Sequence, residues 1–324
     1  MTEQKRVLSG IQPSGILHLG NYFGMMKPAL ELQKNHECFY FIADFHALTQ
    51  YPSPEDLRNR VRNVALDFLA CGLDPERTVF FRQSDVPEVT ELTWILSCHT
   101  PVGLMERCHS YKDKVTRGLS PNLGLFSYPV LMASDILIYG SHLVPVGPDQ
   151  KQHLEITRDI ASRFNHRYGE IFKIPDAIIQ EDIATVPGTD GQKMSKSYDN
   201  IIEIFGPKKK MRKKIMRIVT DSTPLEEPKD PDICNVFSLY KLFASDEEVQ
   251  NLRSQYKAGG MGYGTAKQAL FEKYWEYFAP YRERRAELQN NPAYIEKVLQ
   301  SSAQKARAIA ADLLDHVKNA IGMR

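Results

Sequence analysis

Short continuous apolar runs alternate along the first 200 residues with longer stretches whose apolar residues recur at helical spacing. The runs are Val7 and Leu8, residues 38–43, 78–81, 142–146 and 177–180. Such runs read as strands buried on both faces, as in a parallel sheet. Between them, Tyr22, Met25, Met26, Ala29 and Leu30 predict one helix. Leu57, Val61, Val64, Ala65, Phe68 and Leu69 predict a second, with Ser53 as its cap and Pro54 at its first position. Residues 88–98 read as a third. Residues 125–139 read as a fourth, with Pro129 in its first turn. Asp149 is placed to cap a fifth, running through His153, Ile156 and Ile160. This rhythm predicts βαβ units and a Rossmann-like, doubly wound parallel sheet of the α/β class.

The rhythm stops near residue 205. A dense basic run follows, with Lys208, Lys209, Lys210, Arg212, Lys213, Lys214 and Arg217 interleaved with Met211, Ile215 and Met216. It reads as a cationic amphipathic helix, a pattern usual for a solvated face and suited to RNA phosphate as well. Residues 223–232, rich in Pro, Glu and Asp, read as a linker loop. From Asn235 on the chain reads as helical, with breaks at 259–264 and 290–292. The last helix carries an ordinary core stripe that includes Ile295, Val298, Leu299, Ala306, Ala310, Leu314 and Val317. The expected division is a catalytic domain over 1–204, with a loop at 185–199, a smaller all-helical domain over 205–292, and a terminal helix over 293–324 that packs back on the others.

With 41 Lys and Arg against 40 Asp and Glu, the 324 residues carry a net charge of +1, so any nucleic-acid surface must be a local patch. The five cysteines are scattered without a Cys-x-x-Cys pair, a usage that fits free thiols in a reducing compartment. No apolar leader opens the chain and no run is long enough to span a bilayer, so a soluble cytoplasmic protein is expected.

Candidate chemistry gathers at breakers. After the first strand, Gly10, Pro13 and Gly15 mark a loop, and His18-Leu19-Gly20-Asn21 stands at the mouth of the first helix. A strand, a glycine-bearing turn and a helix start can hold phosphate through unpaired N–H groups and the helix dipole. Alone, the stretch also reads as a simple βα turn with an incidental histidine. Further on, Lys193-Met194-Ser195-Lys196-Ser197 follows the loop signal Pro187-Gly188-Thr189-Asp190-Gly191. Two lysines there can bring cationic donors onto a leaving pyrophosphate. Tyr128, Met132 and Asp135 fall on one face of the fourth helix, spaced by four and three residues. A carboxylate among so many apolar neighbours needs a partner, either within the protein or on a ligand. His46 follows the second strand, at the sheet edge where such folds bind ligands, and reads equally as a histidine satisfied in the core. The Lys112 and Lys114 connector reads as solvated, with reach to a nucleotide phosphate as the lesser alternative.

His18-Leu19-Gly20-Asn21 resembles the first signature of class I aminoacyl-tRNA synthetases, and Lys193 to Ser197 the second. Residues 9–15, 128–137 and 144–153 are similar to the bacterial tryptophan-specific branch of that family. The resemblance runs from about residue 7 to 222. It implies ATP-dependent activation of tryptophan and transfer to tRNA(Trp), with Mg²⁺ assisting. It implies catalytic roles for His18, Lys193 and Lys196. It places ATP against Gln12, Pro13, Ser14, Gly20, Asn21, Gly147, Pro148, Asp149, Val186, Lys193, Met194, Ser195, Lys196 and Ser197. It places tryptophan against His46, Tyr128, Met132, Asp135 and Gln150, with Asp135 accepting the indole N–H. It further implies a homodimer and an anticodon-binding role for the helical part. Some relatives carry an iron–sulfur cluster on four cysteines in that part; only Cys234 is present here, so no cluster is expected. Many bacterial relatives have threonine where this chain has His18, which bears on the subgroup and leaves the reaction unchanged.

Overall fold

The computed structural model describes residues 4–108, 122–147, 150–179 and 186–324. Its contacts divide the chain into two compact units. The first comprises residues 1–15, 29–181 and 291–324; the second, residues 16–28 and 182–290. Neither unit is a linear segment. The division therefore differs from a cut at 204 and 292, because the Lys193–Ser197 string and the His18 turn cluster with the helices that follow them, and the last helix clusters with the sheet.

The first unit is built on five parallel strands: β1 (Arg6–Ile11), β2 (Glu37–Ile42), β3 (Thr78–Arg82), β4 (Leu143–Val146) and β5 (Asp176–Ile179). Their order is β3-β2-β1-β4-β5, the doubly wound arrangement expected from the rhythm of the chain. The order reverses between β1 and β4, which pair through Val7 and Leu143. β1 runs on through Gly10 to Ile11, where a loop had been expected from Gly10. The ladder to β2 explains this: Gly10 pairs with Phe41, and a Cβ at Gly10 would stand 2.6 Å from the Phe41 ring. Glycine here lets the ring cross the strand rather than ending it.

Helices Pro54–Ala70, Glu88–His99, Leu123–Leu137 and Lys151–Tyr168 complete the βαβ pattern. Ser53 caps the first as expected, its Oγ accepting from the Asp56 N–H at 3.1 Å. The helix carrying Pro129 begins earlier than expected. Asn122 caps it, accepting the Leu125 N–H at 2.7 Å, so Pro129 lies inside the helix. A proline there forgoes one backbone bond. Pro129 is itself buried, and the apolar burial opposes that loss. One core joins Phe39, Phe81, Val130, Ile136, Ile160 and Phe164 to Ala306, Ala310 and Leu314 of the terminal helix Pro292–Ala320.

The second unit is helical. It holds Lys208–Met216, Asn235–Tyr240, Asp246–Ala258, Tyr263–Tyr277 and Ala279–Gln289. The His18 turn joins it through Leu19, whose N–H donates to the Ile202 carbonyl at 2.9 Å, and through Tyr22, whose ring meets Phe278 at 5.0 Å. Residues 223–232 are anchored rather than loose. Lys229 is buried, and its Nζ donates to the carbonyls of Pro224, Leu225 and Glu227 at 2.8, 3.3 and 3.1 Å.

Candidate active site

In the sheet unit, a cavity of about 600 Å³ opens at the carboxyl ends of β1 and β4. Its lining unites six residues expected from the sequence: Gln12, His46, Tyr128, Met132, Asp135 and Gln150. The walls are Leu8, Phe41, Ala43, Ile136 and Val144, apolar side chains delivered by strands and by the helix Leu123–Leu137. Helical spacing puts Tyr128, Met132 and Asp135 on the side of that helix that faces the cavity.

Asp135 is buried to 1% exposure and held by two side chains. His46 Nε2 lies 2.9 Å from its Oδ2, and Gln83 Nε2 donates to both oxygens, at 2.8 and 2.9 Å. The Gln83 amide is itself oriented, because its Oε1 accepts the Phe45 N–H at 3.1 Å. Burial pushes the Asp135 carboxyl above the usual range, and the bonds from His46 and Gln83 oppose that push. The result is a carboxylate with its position set on two sides, at the edge of an apolar cavity. The Tyr128 hydroxyl pairs with His153 Nε2 at 2.9 Å, which steadies a second polar group in the lining. Gln83, His153 and Gln152 were not expected from the sequence. Gln83 follows β3 in a short 3₁₀ turn, where nothing local distinguishes it from a capping or solvated residue.

The second unit gathers the other motif residues. His18 is buried and precedes the helical turn Leu19–Asn21; its backbone N–H donates to Asn21 Oδ1 at 3.2 Å. Its Nδ1 has no hydrogen-bond partner among the described residues. Burial, and then the charge of Lys196, lower its pKa from 6.5 to about 4, so the ring is neutral at physiological pH. Gly20 allows a close approach here. A Cβ there would fall 3.0 Å from His18 Nδ1 and 3.4 Å from the Met194 Cβ. Met194 is buried, and its N–H donates to the Val186 carbonyl at 3.1 Å. Lys193 and Ser197, on either side, are exposed. A neutral N–H donor and the Lys196 ammonium thus share one neighbourhood, as stabilisation of phosphate charge requires.

Pro13 is buried, Ser14 is exposed, and Gly147 follows β4. Pro148 and Asp149, including the proposed cap, lie outside the described residues, as do Lys112 and Lys114. Among the described residues no group of three or more His, Cys, Asp or Glu side chains is arranged to hold a metal. None of the described helices is long and apolar enough to cross a membrane.

Comparison with known proteins follows the same lines. Residues 1–279 match the family model described as tRNA synthetases class I (W and Y). A tryptophan–tRNA ligase of Fusobacterium nucleatum is 55% identical over 98% of this chain and 98% of its own length. That of Rhodopirellula baltica is 54% identical over 98% of this chain and all of its own. Among solved structures, the tryptophanyl-tRNA synthetase of Campylobacter jejuni complexed with ADP and tryptophan superposes with a TM-score of 0.94. It is 50% identical and covers 98% of this chain and 99% of its own.

Proposed function

Because this chain belongs to the class I tRNA synthetases of the tryptophan and tyrosine family, we propose that it is a tryptophan–tRNA ligase. The observation that carries the choice of substrate is Asp135: a buried acceptor, fixed by His46 and Gln83, at an apolar cavity lined by Tyr128, Met132 and Gln150. An indole N–H donates to that carboxylate while its rings take the apolar walls. An amino acid without the N–H forgoes that bond and leaves one acceptor position of the buried carboxyl unfilled, which is a basis for rejection. The complex of the half-identical relative with ADP and tryptophan supports the same pair of ligands.

In the first step a tryptophan carboxylate oxygen attacks the α-phosphorus of ATP. An O–P bond forms, the bond to the bridging oxygen breaks, and pyrophosphate leaves with the electron pair. No protein nucleophile is needed; positioning and charge stabilisation suffice. His18, Lys193 and Lys196 are assigned to the phosphates. The neutral His18 ring donates an N–H, and the two lysines supply charge. Gln12, Ser14, Gly147 and Val186 are assigned to the nucleotide. Mg²⁺ bound with ATP would supply further positive charge to the phosphates beside His18, Lys193 and Lys196. In the second step the 2′-hydroxyl of the terminal adenosine of tRNA(Trp) attacks the acyl carbon, the bond from that carbon to the phosphate oxygen breaks, and AMP leaves with the electron pair while its phosphate takes the hydroxyl proton. Two copies are expected to act as a homodimer.

The test is exchange of labelled pyrophosphate into ATP, run with each standard amino acid and without tRNA. Exchange with tryptophan alone is expected. Asp135→Ala should cut kcat/KM for tryptophan by about 100-fold or more while the KM for ATP stays within twofold. Exchange with tyrosine instead would reassign the pocket to the other branch of the family. No exchange with any amino acid would leave a non-catalytic relative that binds tryptophan or RNA.

A further inference from the structure

Asn200 stands three residues beyond the Lys193–Ser197 string, next to the exposed residues 197–199, yet it is buried to 1% exposure. Its side chain is used in full. Oδ1 accepts the Ser195 N–H at 2.7 Å. Nδ2 donates to the Lys193 carbonyl at 3.1 Å and to Asp190 Oδ1 at 2.8 Å. Its own carbonyl accepts the Thr189 N–H at 2.9 Å. Two features of the chain exist to admit this amide. Asp199 adopts a left-handed conformation, φ 49°, which turns residue 200 back under the loop. A Cβ at Gly188 would stand 2.3 Å from Asn200 Nδ2. Only a short amide presents both an acceptor and two donors here; aspartate lacks the donors and leucine lacks both.

We propose that Asn200 is the positioning residue of the signature loop: by clamping the backbone at 193 and 195 it seats Met194 against Gly20 and sets the points from which Lys193 and Lys196 reach out. The two clamped residues flank Met194, the buried member of the string. Asn200 touches neither phosphate nor tryptophan; it acts through the backbone of the lysines. Its role in catalysis rests on the reading above that those lysines meet the phosphates of ATP.

Asn200→Asp is nearly isosteric and turns both donors into a charged oxygen facing Asp190 and the Lys193 carbonyl. A swap, Asp190→Asn with Asn200→Asp, restores the donor–acceptor pair between 190 and 200. Two readouts apply. One is the rate of trypsin cleavage after Lys193 and Lys196 in the native protein. The other is kcat and KM in tryptophan-dependent pyrophosphate exchange. The single variant should be cut at these bonds at least tenfold faster than wild type. Its kcat should fall at least tenfold, with KM for tryptophan within twofold, and the swap should recover part of both losses. Wild-type cleavage in the single variant overturns the inference, as does a loss of activity shared equally by kcat and by tryptophan KM. Where Asn200→Asp does not fold, Asn200→Ser, which cannot span both clamps, takes its place with the same expectations. If the wild-type protein shows no exchange with tryptophan, the functional reading falls, and the proteolysis comparison still decides whether Asn200 holds the loop.

Discussion

His18 illustrates how burial selects a protonation state for a task. With its pKa lowered to about 4 by burial and by the Lys196 charge, the ring stays neutral, keeps one N–H and adds no cation beside that lysine. The same shift has a cost in acid. The unfolded chain binds a proton near pH 6.5 that the folded chain refuses until about pH 4, so stability falls as pH drops through that window and is unaffected above it. The penalty reaches about 3 kcal/mol at most. Urea midpoints measured from pH 8 to 4.5 should therefore decline less steeply for His18→Asn than for wild type. The variant should also lose about 100-fold in exchange kcat, because the shorter amide does not place its N–H where the ring nitrogen does. Parallel pH curves for the two proteins would contradict the buried neutral ring. At this scale, the spacing of Tyr128, Met132 and Asp135 was legible because it is set by one helix. Gln83 was not, because its partner lies 52 residues away and only the sheet brings them together.

At the scale of elements, the helix Lys208–Met216 divides its basic run between structure and surface. Met211 and Ile215 are buried. Lys210 pairs with Glu203 at 2.6 Å, Lys214 donates to the Ile201 carbonyl at 3.0 Å, and Lys208 stands over the Trp275 ring at 5.5 Å. Lys209, Lys213 and Arg217 are exposed and spaced by four, so they form one stripe. If this stripe meets tRNA phosphates, replacing all three by glutamine should weaken tRNA binding and flatten its dependence on log salt by about 2 to 3. Tryptophan-dependent exchange without tRNA should stay within twofold of wild type. An unchanged salt slope would assign the stripe to solvation, the ordinary fate of a charge run.

At the scale of the molecule, the chain leaves the sheet unit near residue 181 and returns to it at 291. The returning helix Pro292–Ala320 packs on β3 and on Glu88–His99, with Ala306, Ala310, Leu314 and Val317 in the common core. Glu296 holds Arg82 through both guanidinium nitrogens, at 2.6 and 2.9 Å, and Arg307 meets Glu88 at 2.9 Å. β3 stands at an edge of the sheet, and this helix packs along it. A chain ending at residue 290 should lose cooperative unfolding of the sheet unit or drop by more than about 10 °C in Tm, given the apolar area exposed. Scanning calorimetry checks this, and an unchanged sheet transition would show the helix to be dispensable.

Continuous apolar runs, the Ser53 cap, the two signature strings and the face shared by Asp135 and Met132 were determined by sequence alone, since strand burial, capping and helical periodicity act over a few residues. The parallel order of the strands followed from their alternation with helices. Tertiary structure alone decided which groups became partners. It placed Gln83 and His46 on Asp135, folded Asn200 under the Lys193–Ser197 loop, buried Lys229 among carbonyls, and drew Pro129 into the body of its helix. It also made two units out of discontinuous segments. The reason is physical. A local pattern says that a residue must be buried or that a polar group must be satisfied. Which donor or acceptor satisfies it depends on chain closures over tens to hundreds of residues, and no single window of sequence contains them.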